Sequence, residues 1–378
     1  GSDTAVRCEG NTWTQGLCIS AMIRSMTTTS TPTYHSRISS AWAGRVSGCM
    51  LGKPVEMLSM RHGATVLSGY LESAGALPLR DYIPFRPSIN QSVEHPDACR
   101  EEISKAIPDD DINYTVISLM LIEQYGRSFT TADVGRMWLR YLPGAIVYTA
   151  ERDAYIKLLE HAGMRFAYGS EPKMDLGQCS DNPYNQWIGA QIRADLYGWI
   201  SPGEPKVAAS MAHTDASLSH RTEGVYGAMV IAAAGSLISS GIPLCRAMEE
   251  AASYIPSNSE CAAAVALGLA TATDSLPTKI QDNYVGMSPV HAVNNLALVT
   301  WGLTRNSQDF GAAIGDTVAG GWDTDCNSVT VGGLWGLTGS GIPSHWVDSW
   351  RRTIQTSVAG FAEVTLEELT KRTLALVA

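Results

Sequence analysis

The chain has no C-x-x-C pair. Its eight cysteines, Cys8, Cys18, Cys49, Cys99, Cys179, Cys245, Cys261 and Cys326, are scattered, which excludes a zinc ribbon or a dithiol redox motif. Several lie in apolar runs, where a free thiol acts as a small hydrophobe, and this usage points to a reducing, cytoplasmic setting. Basic residues are also scarce. Lys and Arg number 27 against 37 Asp and Glu, a net charge of −10, so a general nucleic-acid surface is excluded. No P-loop, G-x-S-x-G or Rossmann fingerprint occurs. Alternating strand patterns are few and short. The longest uncharged run, between Glu223 and Arg246, carries Gly224, Gly227, Gly235, Gly241 and Pro243. It reads as a buried helix and a turn rather than a membrane span. No signal peptide, internal repeat or linker stands out.

What is present is ample apolar material: 45% hydrophobic and 17% charged over 378 residues, enough for a large core. Helical signals dominate. "TTADVGRMWLRYLPG" sets Val134, Met137, Trp138 and Tyr141 at helical spacing between a Thr start and a Pro-Gly stop. Pro205 suits a first helical turn. Ser257 to Glu260 fits a capping box before an alanine-rich helix. Val225 to Ile238 and Ala292 to Leu303 read as helices buried on all sides. Residues 1–36 read as a leader or disordered tail: "GS" resembles an expression scar, Met26 a natural start, and "TTTSTPT" has a disordered composition. Residues 37–378 are expected to form one mostly α domain.

Two acidic turns stand out. "IPDDDINYT" sets Asp109, Asp110 and Asp111 directly before the apolar run from Val116 to Ile122. "AGGWDTDCNSVTVGGLWG" sets Asp323 and Asp325 in a glycine-flanked turn before a small-residue segment. Carboxylates at helix starts meet the positive end of the dipole, and an Asp-rich turn is also an ordinary cap. If the two starts face each other, five carboxylates converge and need cations. An all-oxygen set suits Mg²⁺, Mn²⁺ or Ca²⁺, and two such ions a few ångströms apart could share it. An EF-hand from Asp323 fails, because Ser328 and Leu334 stand where Gly and Glu are required. A terpene-synthase type of site fails for want of an acid among Asn113, Tyr114 and Thr115. Three further segments carry polar markers. "GCMLGKPVE" ends on Glu56, which a surface turn would also explain. "WIGAQIRAD" holds Arg193, a candidate phosphate partner or half of an Arg193–Asp195 structural pair. "TDASLSH" ends on His220, a residue type that more often packs than binds.

These five segments, in this order and spacing, resemble the ADP-ribosylglycohydrolase family from about Arg37 onward. "AWAGRVSGCMLGKPVE" is similar to the family's G-x-x-x-G-D-x-x-G-x-x-x-E element, "DDDINYT" to T-D-D-T-x-M-T, and "GWDTDCNSVTVGGLWGLTGSGIP" to G-x-D-T-D-T…G-A-x-x-G…I-P. "IGAQIRAD" resembles G-A-x-x-R and "DASLSH" resembles D-A-x-x-T-H. The resemblance implies an all-α, compact orthogonal helical bundle. It also implies two Mg²⁺ or Mn²⁺ ions and cleavage of the C1″ bond between ADP-ribose and a protein side chain or small acceptor. Residue by residue, it implies Asp109, Asp110, Asp111, Asp323 and Asp325 as metal ligands. Glu56, Asp110 and Asp325 would act in catalysis. Gly189, Ala190, Gln191, Arg193 and His220 would lie around the substrate. No membrane or nucleic-acid partner is expected. The departures are Asp109 for a threonine, Cys326 for the last threonine, and Cys49 for an aspartate.

Overall fold

Several helices begin where a polar side chain caps them. The computed structural model describes residues 31–86 and 93–377. Thr33 caps α1 (Tyr34–Gly52), accepting the Ser36 N–H at 3.1 Å. Helix α1 therefore starts inside the expected leader, whose residues 1–30 lie outside the described residues. A single turn over Lys53–Val55 leads into α2 (Glu56–Ser73). The first acidic run starts α3 (Asp110–Tyr125). Asp109 is its N-cap, accepting the Asp111 N–H at 2.9 Å, and Gly126 with φ 69° ends it. Helix α4 (Thr131–Tyr141) carries a capping box of Thr130 and Asp133, and α5 (Thr149–His161) follows.

The remaining helices are α6 (Asp195–Trp199), α7 (Pro205–Ala216), α8 (Glu223–Ser239), α9 (Leu244–Ala251), α10 (Glu260–Ala270), α11 (Thr278–Asn283), α12 (Ala292–Arg305), α13 (Phe310–Ala319), α14 (Thr324–Gly336), α15 (Ser344–Asp348) and α16 (Leu366–Leu374). Among the described residues the strands are β1 (Thr353–Gln355) and β2 (Glu363–Thr365), antiparallel with Thr353 opposite Thr365. The fold is all-α. The cap of α10 is Ser259, two residues later than the sequence pattern places it. Pro256 turns the chain there, and Ser259 Oγ accepts the Ala262 N–H at 3.2 Å. Among the described residues no helix is long and apolar enough to cross a membrane; the uncharged run is α8, stopped by Gly241 with φ 99°. Thr33–Ala378 form one unit.

One contact positions the site. Helices α1 and α14 run antiparallel with their backbones almost touching. A Cβ on Gly44 would lie 2.2 Å from the Gly332 carbonyl oxygen, and one on Gly332 would lie 2.0 Å from that of Gly44. Gly48 meets Ser328 and Gly52 meets Thr324 and Asp325 in the same way. Glycines at four-residue spacing share one helix face, so the stripe Gly44, Gly48, Gly52 fits against Gly332, Ser328 and Thr324. Two hydrogen bonds fix the register: Ser328 Oγ donates to Gly48 O at 2.6 Å, and Thr324 Oγ1 donates to Gly52 O at 2.8 Å. The end of α1 is thereby held beside the start of α14.

Candidate active site

Three helix ends meet at one cavity. The α1–α2 corner brings Lys53 and Glu56, the start of α3 brings Asp109, Asp110 and Asp111, and the start of α14 brings Asp323 and Asp325. The two acidic turns, more than 200 residues apart in sequence, do converge: the Cys326 Sγ lies 3.7 Å from Asp111 Oδ2, at a sequence separation of 215. The cavity holds about 400 Å³ and is lined by Lys53, Glu56, Asp110, Asp323, Asp325 and Cys326 at its base. Tyr148, Glu151, Trp187, Ile188 and Gly189 form one wall, and Met57, Met60, Glu94 and His95 another. Asp109 and Asp111 are buried behind the base.

Lys53 is the hub. Its Nζ lies 2.8 Å from Glu56 Oε2, 2.9 Å from Asp109 Oδ2 and 3.0 Å from Asp325 Oδ2. Burial works against the ammonium, but Asp109, Asp325 and Glu56 outweigh it and raise its pKa. Asp109 is likewise penalised by burial, yet Lys53 holds its carboxyl below the usual range. Glu56, Asp110, Asp111 and Asp323 go the other way. Burial pushes each well above the ordinary carboxyl range, and neighbouring aspartates push further. The Cys49 and Cys326 thiols are raised by burial and by the same aspartates.

The residues fit a divalent cation. Asp111 Oδ1 and Asp323 Oδ1 are buried acceptors without a hydrogen-bond partner. Such orphans are costly unless a cation or donor meets them. Glu56, Asp323 and Asp325 can bring three oxygens within 4.8 Å of one another, as can Asp111, Asp325 and Cys326 with two oxygens and a sulfur. The first set is hard; the thiol makes the second a poorer match for Mg²⁺.

The wall rests on a second ionic network. Arg193 Nη1 donates to Glu151 Oε1 at 2.7 Å and Nε donates to Asp215 Oδ1 at 2.8 Å. Arg193 Nη2 donates to Ser219 Oγ at 2.9 Å. The guanidinium also lies over the Trp138 ring, 5.0 Å from its centroid. Burial opposes its charge, but Asp215 and Glu151 prevail and raise its pKa. Burial raises the Glu151 carboxyl despite Arg193. Burial, with Arg193 nearby, lowers the pKa of His220. Gly189 passes so close to Glu151 that a Cβ would lie 1.9 Å from its Oε1.

Of the residues expected around the substrate, Gly189 lines the cavity. Ala190, Gln191, Arg193 and His220 lie behind the wall and do not line it. Arg193 is spent on Glu151 and Asp215, so it is not free for a phosphate. The alternative pairing of Arg193 with Asp195 is not formed either; Asp195 pairs with Arg45 at 2.9 Å, both fully buried. Sequence reasoning missed Lys53, Glu151, Tyr148 and Trp187. Lys53 had a signal, since it is the lone charge between Val46 and Val55. Glu151 had none, because "TAERD" reads as an ordinary helix start.

A family model described as ADP-ribosylglycohydrolase matches residues 30–376. Among solved structures, a chain titled "ADP-ribosylglycohydrolase-related protein complex" is similar, with a TM-score of 0.60 at 18% identity over 91% of this chain and 98% of that one. That likeness speaks for the fold alone. Comparison with curated protein sequences finds no match.

Proposed function

The chain belongs to the ADP-ribosylglycohydrolase family, a family of hydrolases of ADP-ribosyl linkages, and from this we propose that it cleaves the C1″ bond of an ADP-ribosylated side chain or small acceptor in the cavity above Glu56, Asp110, Asp323 and Asp325. One observation carries the reading: three helix ends, far apart in sequence, aim their carboxylates into one cavity. Asp110, Asp111, Asp323 and Asp325 are the residues that would hold Mg²⁺ or Mn²⁺. When bound, such an ion supplies a Lewis acid that orients vicinal hydroxyls and lowers the pKa of water.

The chain's own groups do the rest. Cleavage builds positive charge on the ribose ring, and the carboxylates of Asp110 and Asp325 stabilise it. Glu56 accepts the proton of the attacking water. Burial raises its carboxyl, and Lys53 fixes its orientation. The water oxygen bonds to C1″, and the acceptor leaves with the bonding pair and takes up a proton. Trp187, Tyr148 and Ile188 present apolar surface to the rest of the substrate. Gly189 lets the wall close against Glu151, and Arg193 positions that glutamate from behind.

A second reading has an observation of its own. Among the described residues no arginine lines the cavity, so a ribosyl substrate with less phosphate, a nucleoside or nucleotide derivative, fits its acidity. The deciding experiment presents arginine-, serine- and nucleotide-linked ADP-ribose, together with ribonucleosides, with Mg²⁺, with Mn²⁺ and after EDTA. The proposal expects free ADP-ribose that disappears with chelation and returns with metal. Cleavage of nucleosides alone selects the second reading, and release undiminished by exhaustive chelation removes the metal from the reaction.

A further inference from the structure

The cavity already contains a cation, the ammonium of Lys53. We propose that this ammonium occupies the place of one of the two divalent ions implied by the family resemblance, so that each chain binds a single divalent ion, at Asp325 with the carboxylates that Lys53 leaves free. This rests on the reading of the cavity as a metal-dependent hydrolase site.

An ammonium has three donors, and three carboxylates from three helix ends surround Lys53 Nζ at 2.8, 2.9 and 3.0 Å. Glu56 and Asp325 accept hydrogen bonds from it, and Asp109 lies at ion-pair distance. Mg²⁺ requires oxygens at about 2.0–2.1 Å in near-octahedral order. An ion at the same point would have to expel Lys53 and draw Glu56, Asp109 and Asp325 inward by most of an ångström. Lys53 has a fixed backbone position. It closes α1, Gly52 is locked against Thr324 and Asp325, and Pro54 follows directly. Asp109 supports the assignment. It stands where a neutral ligand would serve a metal, and here it supplies the negative charge that matches Lys53.

What Lys53 does not reach remains available. Asp111 Oδ1 and Asp323 Oδ1 are buried and unpartnered. Asp325 stands between them, within ligand reach of the Asp111–Cys326 pair on one side and of Asp323 on the other. It can donate further lone pairs although its oxygens already accept from Lys53 and from the Cys326 N–H at 2.9 Å.

The test counts metal and does not depend on turnover. The metal-stripped full chain is titrated with Mn²⁺ by equilibrium dialysis, and bound Mn²⁺ is read by electron paramagnetic resonance. The wild-type chain is expected to bind one Mn²⁺ with the signal of an isolated ion. Lys53→Met keeps the stem and removes the charge; it is expected to bind two, with a spin-coupled signal. Lys53→Arg is expected to stay at one. Should Lys53→Met fail to fold, Lys53→Ala combined with Asp109→Thr removes the charge pair together and is expected to bind two. Two Mn²⁺ per wild-type chain, or one per chain in a folded charge-removed variant, overturns the proposal and leaves the hydrolase reading intact. No bound Mn²⁺ in the wild type overturns the metal-dependent reading with it.

Discussion

Gly332→Ala tests the contact on which the site is built. The new Cβ would lie 2.0 Å from the Gly44 oxygen and 2.6 Å from the Gly44 carbonyl carbon. Both are backbone atoms, so no rotamer change can relieve the clash. Real Cβ contacts do not fall below 3.0 Å, so α1 and α14 must part by about 1 Å here. Forcing a methyl group into a packed interface costs about 1–3 kcal/mol. Alanine's better helix propensity returns about 1 kcal/mol, which leaves a net loss of up to about 2 kcal/mol. The matched control is Gly69→Ala in α2, where nothing lies within 4 Å of the new Cβ. There only propensity acts, and a gain of roughly 0.5–1 kcal/mol is expected. Urea unfolding of the two variants beside the wild type should give opposite signs. Turnover should separate them further, because a misplacement of about 1 Å at a reacting centre can cost 10²-fold. Gly332→Ala matching the wild type in midpoint and slope would refute the close approach and the account of how Lys53 reaches Asp325.

Asp323→Asn is expected to abolish ADP-ribose release while circular dichroism stays that of the wild type; a variant with normal turnover sinks the proposed site. Glu151→Ala leaves the Arg193 charge short of a partner in a buried setting, which should cost about 3–5 kcal/mol in urea unfolding. A loss under about 1 kcal/mol, the range of exposed pairs, would show that Asp215 alone suffices. The pH dependence of the metal-free protein follows from the raised carboxyls of Glu56, Asp110, Asp111 and Asp323, each raised first by burial. A raised folded-state pKa means that the folded chain holds the proton more tightly than the unfolded one. Its stabilising effect is complete below the unfolded value of about 4 and is lost as pH rises through the folded values. Urea midpoints of chelated protein should therefore fall as the pH is raised above about 4, and Mn²⁺ should flatten the fall. A midpoint rising over that interval contradicts the sign.

Helices with strong end signals were legible in the chain. The Thr start and the Pro-Gly stop of α4 lie where spacing and composition put them. So were the two acidic turns, because like charges beside apolar runs demand an explanation that local structure does not supply. What could not be read was the division of labour around Arg193. A buried guanidinium next to a glycine-rich turn looks the same in sequence whether it faces a phosphate or a glutamate 42 positions earlier. Glu151 becomes functional only through that long-range pairing. Lys53 was overlooked because glycine and glutamate on either side drew attention to a turn and a base, although an isolated charge in a segment of small residues is itself unusual.

The glycine seam between α1 and α14 also acts as a ruler. From Gly44 to Lys53 is nine residues, roughly 13 Å at 1.5 Å each, so inserting or deleting one residue there would turn the lysine by about 100°. The floor of the cavity therefore tolerates almost no change in chain length. Tyr148, Trp187 and Ile188 lie outside α1, α2 and α14. Altered choice of acceptor is available to them at little structural expense, and new specificity in this molecule should arise at the brim while the base stays as it is.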